Sequence, residues 1–109
     1  MNRLTQLEAF LKESPKDPFL KYAIALEYLK QNKEDKTLTI FIALTKEHPN
    51  YVGTYYHLGK LQEKLGEEET ALQTYQKGMV IAEKMNDGHS HGELKGAYQV
   101  LYDELYFEI

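Results

Sequence analysis

The stretch His48-Pro49-Asn50-Tyr51 repeats Ser14-Pro15-Lys16-Asp17 one 34-residue step later, and the same step carries Ile24-Ala25 onto Leu58-Gly59 and Phe41 onto Tyr75. A fixed period of tens of residues is the signature of stacked supersecondary units, so it outranks any local propensity in deciding the fold. The units are helical. Only three prolines occur, at 15, 18 and 49, and strand signals are nearly absent. Long helical runs with short connections follow. Six helices are expected, over Arg3–Glu13, Pro18–Gln31, Glu34–Glu47, Val52–Leu65, Glu67–Met85 and His91–Phe107.

Each expected helix has its punctuation. Asp17 can accept a bond from the orphan N–H groups of the second helix, with Pro18 at the first helical position, where a missing N–H costs nothing. Gly66 sits where a helix end asks for a left-handed residue, and Asn86-Asp87-Gly88 is expected to stop the fifth helix in the same way. Ser90 followed by Glu93 matches a capping box, which would start the sixth helix.

The second unit reads Tyr55, Leu58-Gly59, the Gly66-Glu67 turn, Ala71 and Tyr75. In this pattern, at this period, the chain resembles the tetratricopeptide repeat family, in the manner of a small bacterial-type repeat-domain protein. The resemblance implies an all-α, right-handed solenoid of antiparallel helix pairs. Small residues let paired helices approach, and large ones fill the gap between neighbours. The chain then divides into an N-terminal half-repeat helix (1–17), a first repeat (18–51), a second (52–85) and a C-terminal capping helix (86–109), together one domain. The first repeat keeps Ile24-Ala25, Tyr28, Phe41 and Pro49, but Lys21 replaces the usual large aromatic, and Thr37 and Leu44 stand where alanine is common. An up-down bundle is the rival architecture. The regular 34-residue self-similarity argues against it.

Composition narrows the function. The 109 residues are 42% hydrophobic and 28% charged, which is an ordinary globular balance. With no cysteine, disulfides and thiolate metal sites are excluded. A cytoplasmic location is expected, since small secreted domains usually carry such staples. No membrane association is expected either, because neither an export-type N-terminus nor an apolar run of about 18 residues is present. The net charge is -4 and Arg3 is the only arginine among 13 basic residues. Nucleic acid is therefore not an expected partner.

No phosphate loop, nucleophile elbow, zinc-protease signature or dinucleotide glycine pattern occurs, so the chain is expected not to be an enzyme and to need no cofactor. One constellation has ligand chemistry: Asp87, His89, His91 and Glu93 alternate within seven residues. It reads either as a metal site or as a polar turn between helices, and the turn is favoured because structural sites want four closed ligands.

The resemblance implies a concave groove lined by the first helix of each pair, holding a peptide or partner helix. Carried onto this chain, the groove residues are Phe19, Tyr22, Leu26 and Leu29, then Tyr56, Lys60 and Glu63. Tyr22, Leu26 and His57 occupy positions where relatives that clamp a chaperone's terminal carboxylate use lysine and asparagine, so a hydrophobic or amphipathic segment is the expected ligand. In the last helix Tyr98, Tyr102, Tyr106 and Ile109 form an aromatic stripe beside the buried seam, wider than one seam requires. Either the tail folds over the groove or it packs against another chain. A homodimer through this stripe is the favoured expectation.

Overall fold

A computed structural model describes residues 2–107. The chain consists of six helices: α1 (Arg3–Glu13), α2 (Pro18–Lys30), α3 (Glu34–Glu47), α4 (Gly53–Lys64), α5 (Glu68–Lys84) and α6 (Gly88–Tyr106), with no strand among the described residues. It is an all-α helical-repeat fold. Two compact units are distinguished, divided between Tyr51 and Val52. Ile109, expected to extend the aromatic stripe, lies outside the described residues.

In the first unit α1 packs on α2 and α2 on α3. Asp17 caps α2 through Phe19 N at 2.9 Å, with Pro18 in the first turn. Asn2 caps α1 by accepting from Thr5 N at 2.8 Å, a cap that the sequence reading overlooked. Leu7, Leu20, Ala23 and Ile24 form the buried cluster, flanked by Leu4, Leu11, Tyr28 and Ile40. Thr37, where alanine is usual, is buried completely, and its hydroxyl donates to the Lys33 carbonyl at 3.0 Å and the Ala25 carbonyl at 3.3 Å. Burying that hydroxyl is tolerated because it keeps acceptors.

In the second unit α5 packs between α4 and α6, and α4 also touches α6. Tyr55, Ala71, Leu72, Tyr75, Ala82, Leu94, Ala97 and Leu101 form its core. Gly59 admits the Tyr75 ring: a β-carbon at residue 59 would lie 2.2 Å from Tyr75 Cε1. Gly78 plays the reciprocal part on α5, where a β-carbon would lie 2.6 Å from Tyr55 Cβ. The two helices therefore approach through one glycine each, with a tyrosine of the other helix seated over it.

The helix ends repeat as well. Asn32, Gly66 and Asn86 adopt positive φ, at 59°, 82° and 57°. Behind them the N–H groups of Lys33, Glu67 and Asp87 donate to the carbonyls of Tyr28, Gln62 and Ala82, the six-to-one bond of a Schellman end. The expected start of the sixth helix is corrected here. The helix begins three residues earlier, at Gly88, and Asp87 is its cap, accepting from Ser90 N at 3.0 Å and Ser90 Oγ at 2.7 Å. The Ser90–Glu93 capping box does not form. An ionised carboxylate placed directly after a left-handed residue reaches the orphan N–H groups first, and its charge suits the helix N-terminus.

Candidate functional site

On α2 the four expected groove residues fall into two kinds. Phe19, in the first turn, is exposed. Tyr22, Leu26 and Leu29 are half-buried, and the Tyr22 ring leans on Phe41 at 6.3 Å and Tyr51 at 5.5 Å between centroids. Tyr22 thus closes the aromatic end of the first unit as well as facing outward. Burial, and secondarily the Asp17 carboxylate, push the Tyr51 hydroxyl above the usual tyrosine value. The Lys21 ammonium of α2 is 3.0 Å from the Glu47 carboxylate of α3.

On α4, Tyr56, Lys60 and Glu63 lie along one face at helical spacing. Tyr56 is half-buried and Lys60 exposed, its ammonium 5.8 Å from the centre of the Tyr56 ring and 3.9 Å from the Glu63 carboxylate. Glu63 is also tied to the core: the Tyr75 hydroxyl donates to it in a short hydrogen bond. Burial, and then that bond, push the Tyr75 hydroxyl far above the usual tyrosine value. The next polar pair inward is Thr74 Oγ1 donating to Gln62 Oε1 at 2.6 Å. The sequence holds no rule that links residues 63 and 75 across a helix turn, so this anchoring was not foreseen. The result is a strip of aromatic ring, cation and carboxylate on α4, its carboxylate anchored by Tyr75.

The Asp87–Glu93 segment takes a different form from the loop expected of it. His89 and His91 both lie in the first turn of α6, where residues two apart point to roughly opposite sides. His89 Nε2 pairs with Glu93 Oε1 at 3.3 Å. His91 instead lines a shallow concavity of about 460 Å³ with Ala82, Glu83, Asn86, Asp87 and Gly88. Among the described residues no group of three or more His, Cys, Asp or Glu side chains converges as a metal site would require. Hydrogen bonds from the Ser90 backbone and side chain hold the Asp87 carboxyl below the usual carboxylate range, as fits a helix cap.

His57, on α4, is half-buried, and burial holds its imidazole below the usual histidine value, partly offset by the Glu93 carboxylate. A depressed folded-state value means that the unfolded chain takes up the proton more readily, so stability rises with pH through the histidine range. Between about pH 8 and about pH 5, wild type should lose urea resistance more steeply than a His57→Gln chain. Equal slopes would show that His57 does not titrate against burial.

The aromatic stripe on α6 is present in the described part. Tyr98 and Tyr102 stack with centroids 5.8 Å apart, Tyr102 and Tyr106 sit 5.0 Å apart, and Tyr98 accepts from Gln76 Nε2 at 3.3 Å. Tyr102 and Tyr106 are exposed while Tyr98 is half-buried. Within residues 2–107 no helix is long and apolar enough to cross a membrane.

No family model matches the chain, and no curated protein matches it. Solved structures do. A tetratricopeptide repeat domain protein from Salinibacter ruber is similar to it in two structures. The crystal structure has 40% identity, covers 78% of this chain and 94% of its own, and has a TM-score of 0.76. The solution structure has 37% identity, covers 87% and 96%, and has a TM-score of 0.80. A protein from Bordetella parapertussis shares the fold, with 23% identity over 97% of this chain and 94% of its own, at a TM-score of 0.79. With the 34-residue period, the glycine–tyrosine pairing of α4 and α5 and this likeness over most of its length, the chain belongs to the tetratricopeptide repeat family.

Proposed function

We propose that the chain is a non-enzymatic scaffold that binds a hydrophobic or amphipathic protein segment on the first-helix faces of its repeats. Membership of the repeat family supports a general protein-interaction role. The observation that carries the finer reading is the α4 strip. Tyr56, Lys60 and Glu63 present an aromatic surface, a cation and a carboxylate side by side on one helix face, the carboxylate anchored by Tyr75, and a tyrosine among polar groups is a common anchor in protein recognition. On α2, exposed Phe19 offers an apolar anchor, with Tyr22, Leu26 and Leu29 half-buried on the same helix. Each face is a binding element in its own right.

The test is selection from a displayed peptide library on the full-length protein. The chain contains no tryptophan, so a selected peptide that carries one reports binding by its own fluorescence. Tyr56→Ala combined with Lys60→Ala is expected to weaken the selected peptide at least tenfold, about 1.4 kcal/mol. Val80→Ala, at an exposed position on α5, should leave it unchanged. Equal affinity of the double variant and wild type would remove the α4 strip from the binding surface.

A further inference from the structure

The first unit carries a concavity that shares no residue with the faces proposed above. It measures about 350 Å³ and is lined by Tyr28, near the end of α2, and by Asp35, Lys36, Thr39 and Ile40 of α3. That volume lies in the range of small-ligand sites. Tyr28 and Ile40 are half-buried and pack against the cluster of Leu7, Leu20, Ala23 and Ile24, so the core supports them as an apolar wall. The Lys33 and Lys36 ammonium groups stand 5.9 Å and 5.2 Å from the centre of the Tyr28 ring.

The second unit fills the same register differently. One 34-residue step carries Tyr28 onto Gln62, Ile40 onto Thr74, Lys33 onto Glu67 and Lys36 onto Thr70. There Gln62 is buried and accepts from Thr74 Oγ1 at 2.6 Å, so the pair satisfies itself. The apolar wall and the two cations belong to the first unit and not to the second. The cations also lack carboxylate partners. Among the described residues neither Lys33 nor Lys36 joins an ion pair, whereas Lys21, Lys30 and Lys60 do. Glu34 and Asp35 are close in the chain, but both lie in the first turn of α3, where the positive end of the helix dipole favours their charge. The Thr39 hydroxyl is engaged as well, donating to the Asp35 carbonyl at 2.9 Å. The Tyr28 ring attracts each ammonium and so gathers two like charges. An anion between them would relieve that repulsion.

We propose that this concavity binds an organic anion, with a carboxylate held by Lys33 and Lys36 and an apolar body lying against Tyr28 and Ile40. A free aromatic or branched aliphatic acid has this chemistry, and so does an acidic side chain next to an aromatic one in a peptide. The site is separate in its residues from the α2 face of Phe19, Tyr22, Leu26 and Leu29 and from the α4 strip. Either proposal can therefore fail alone.

The test is amide chemical-shift titration of the full-length protein with phenylacetate, using neutral phenylacetamide as the matched control. Phenylacetate is expected to give saturable shifts at Tyr28, Lys36 and Ile40, and phenylacetamide to bind at least about fivefold more weakly. The second unit supplies the variants. Lys33→Glu with Lys36→Thr, at exposed positions, should remove the preference for the carboxylate, and Tyr28→Gln with Ile40→Thr should abolish the shifts. Should the latter pair unfold the chain, the lysine pair decides alone. An acetylated and amidated peptide carrying phenylalanine next to aspartate separates the two sources. Tighter binding than phenylacetate assigns the anion to a protein segment and weaker binding to a free acid, and both support the site. Equal affinity for phenylacetate and phenylacetamide, an unchanged preference in the lysine variant, or no saturable shift at these residues would overturn the proposal.

Discussion

Tyr75→Ala is expected to destabilise the second unit by about 3–5 kcal/mol, the largest loss of any single truncation in the chain. The ring is fully buried, sits over Gly59, and carries the hydroxyl that donates to Glu63. Truncation removes the core contacts, opens a cavity that two helices cannot collapse without moving, and leaves the half-buried Glu63 carboxylate without its tyrosine donor. Tyr75→Phe separates the parts. It keeps the ring and forfeits the hydroxyl, for a loss of about 1–3 kcal/mol. Urea unfolding followed by amide exchange in α4 to α6 reads both. A Tyr75→Ala loss no larger than that of Tyr75→Phe would mean that the ring is not the keystone of this pair.

Gly59→Leu should cost at least the upper part of the usual overpacking range of about 1–3 kcal/mol. A β-carbon alone would lie 2.2 Å from Tyr75 Cε1 and 2.7 Å from Cδ1 and Cζ, against a ring with no free space. Relief requires moving the ring or separating α4 from α5. The matched control is Gly96→Ala on α6, where nothing lies within 4 Å of the added carbon. There the lower chain entropy of alanine should add about 0.5–1 kcal/mol of stability. A Gly59→Leu chain that keeps the wild-type melting temperature would show that the assigned repeat register is wrong.

The fold was legible because its strongest signals are spacings. Helices pack through glycines and tyrosines at fixed intervals, and a 34-residue step brings Phe41 onto Tyr75 and Ala25 onto Gly59 without any knowledge of contacts. The start of α6 was misplaced because Ser90 and Glu93 fit a capping pattern that Asp87 pre-empts from an earlier position. Pattern names candidates for a cap and does not rank them. That misplacement left His89 and His91 looking like partners in a loop, whereas a helix turns them apart. The candidate face was only partly legible. The family resemblance put Tyr22, Leu26 and Leu29 on the first-helix face but did not divide core from surface, and all three proved half-buried. Glu63 was expected in the groove, and its anchoring was not legible because the bond comes from a tyrosine on the following helix.

The proposed role places a partner segment on the first-helix face of a repeat. Amide chemical-shift mapping of the full-length protein, titrated with the tightest peptide from the library selection, tests it most directly. Shifts are expected to centre on Tyr56, Lys60 and Glu63 of α4 and to be lost in the Tyr56→Ala and Lys60→Ala double variant. Shifts confined to α1, to the exposed side of α5 around Val80 or to the α6 stripe would contradict it.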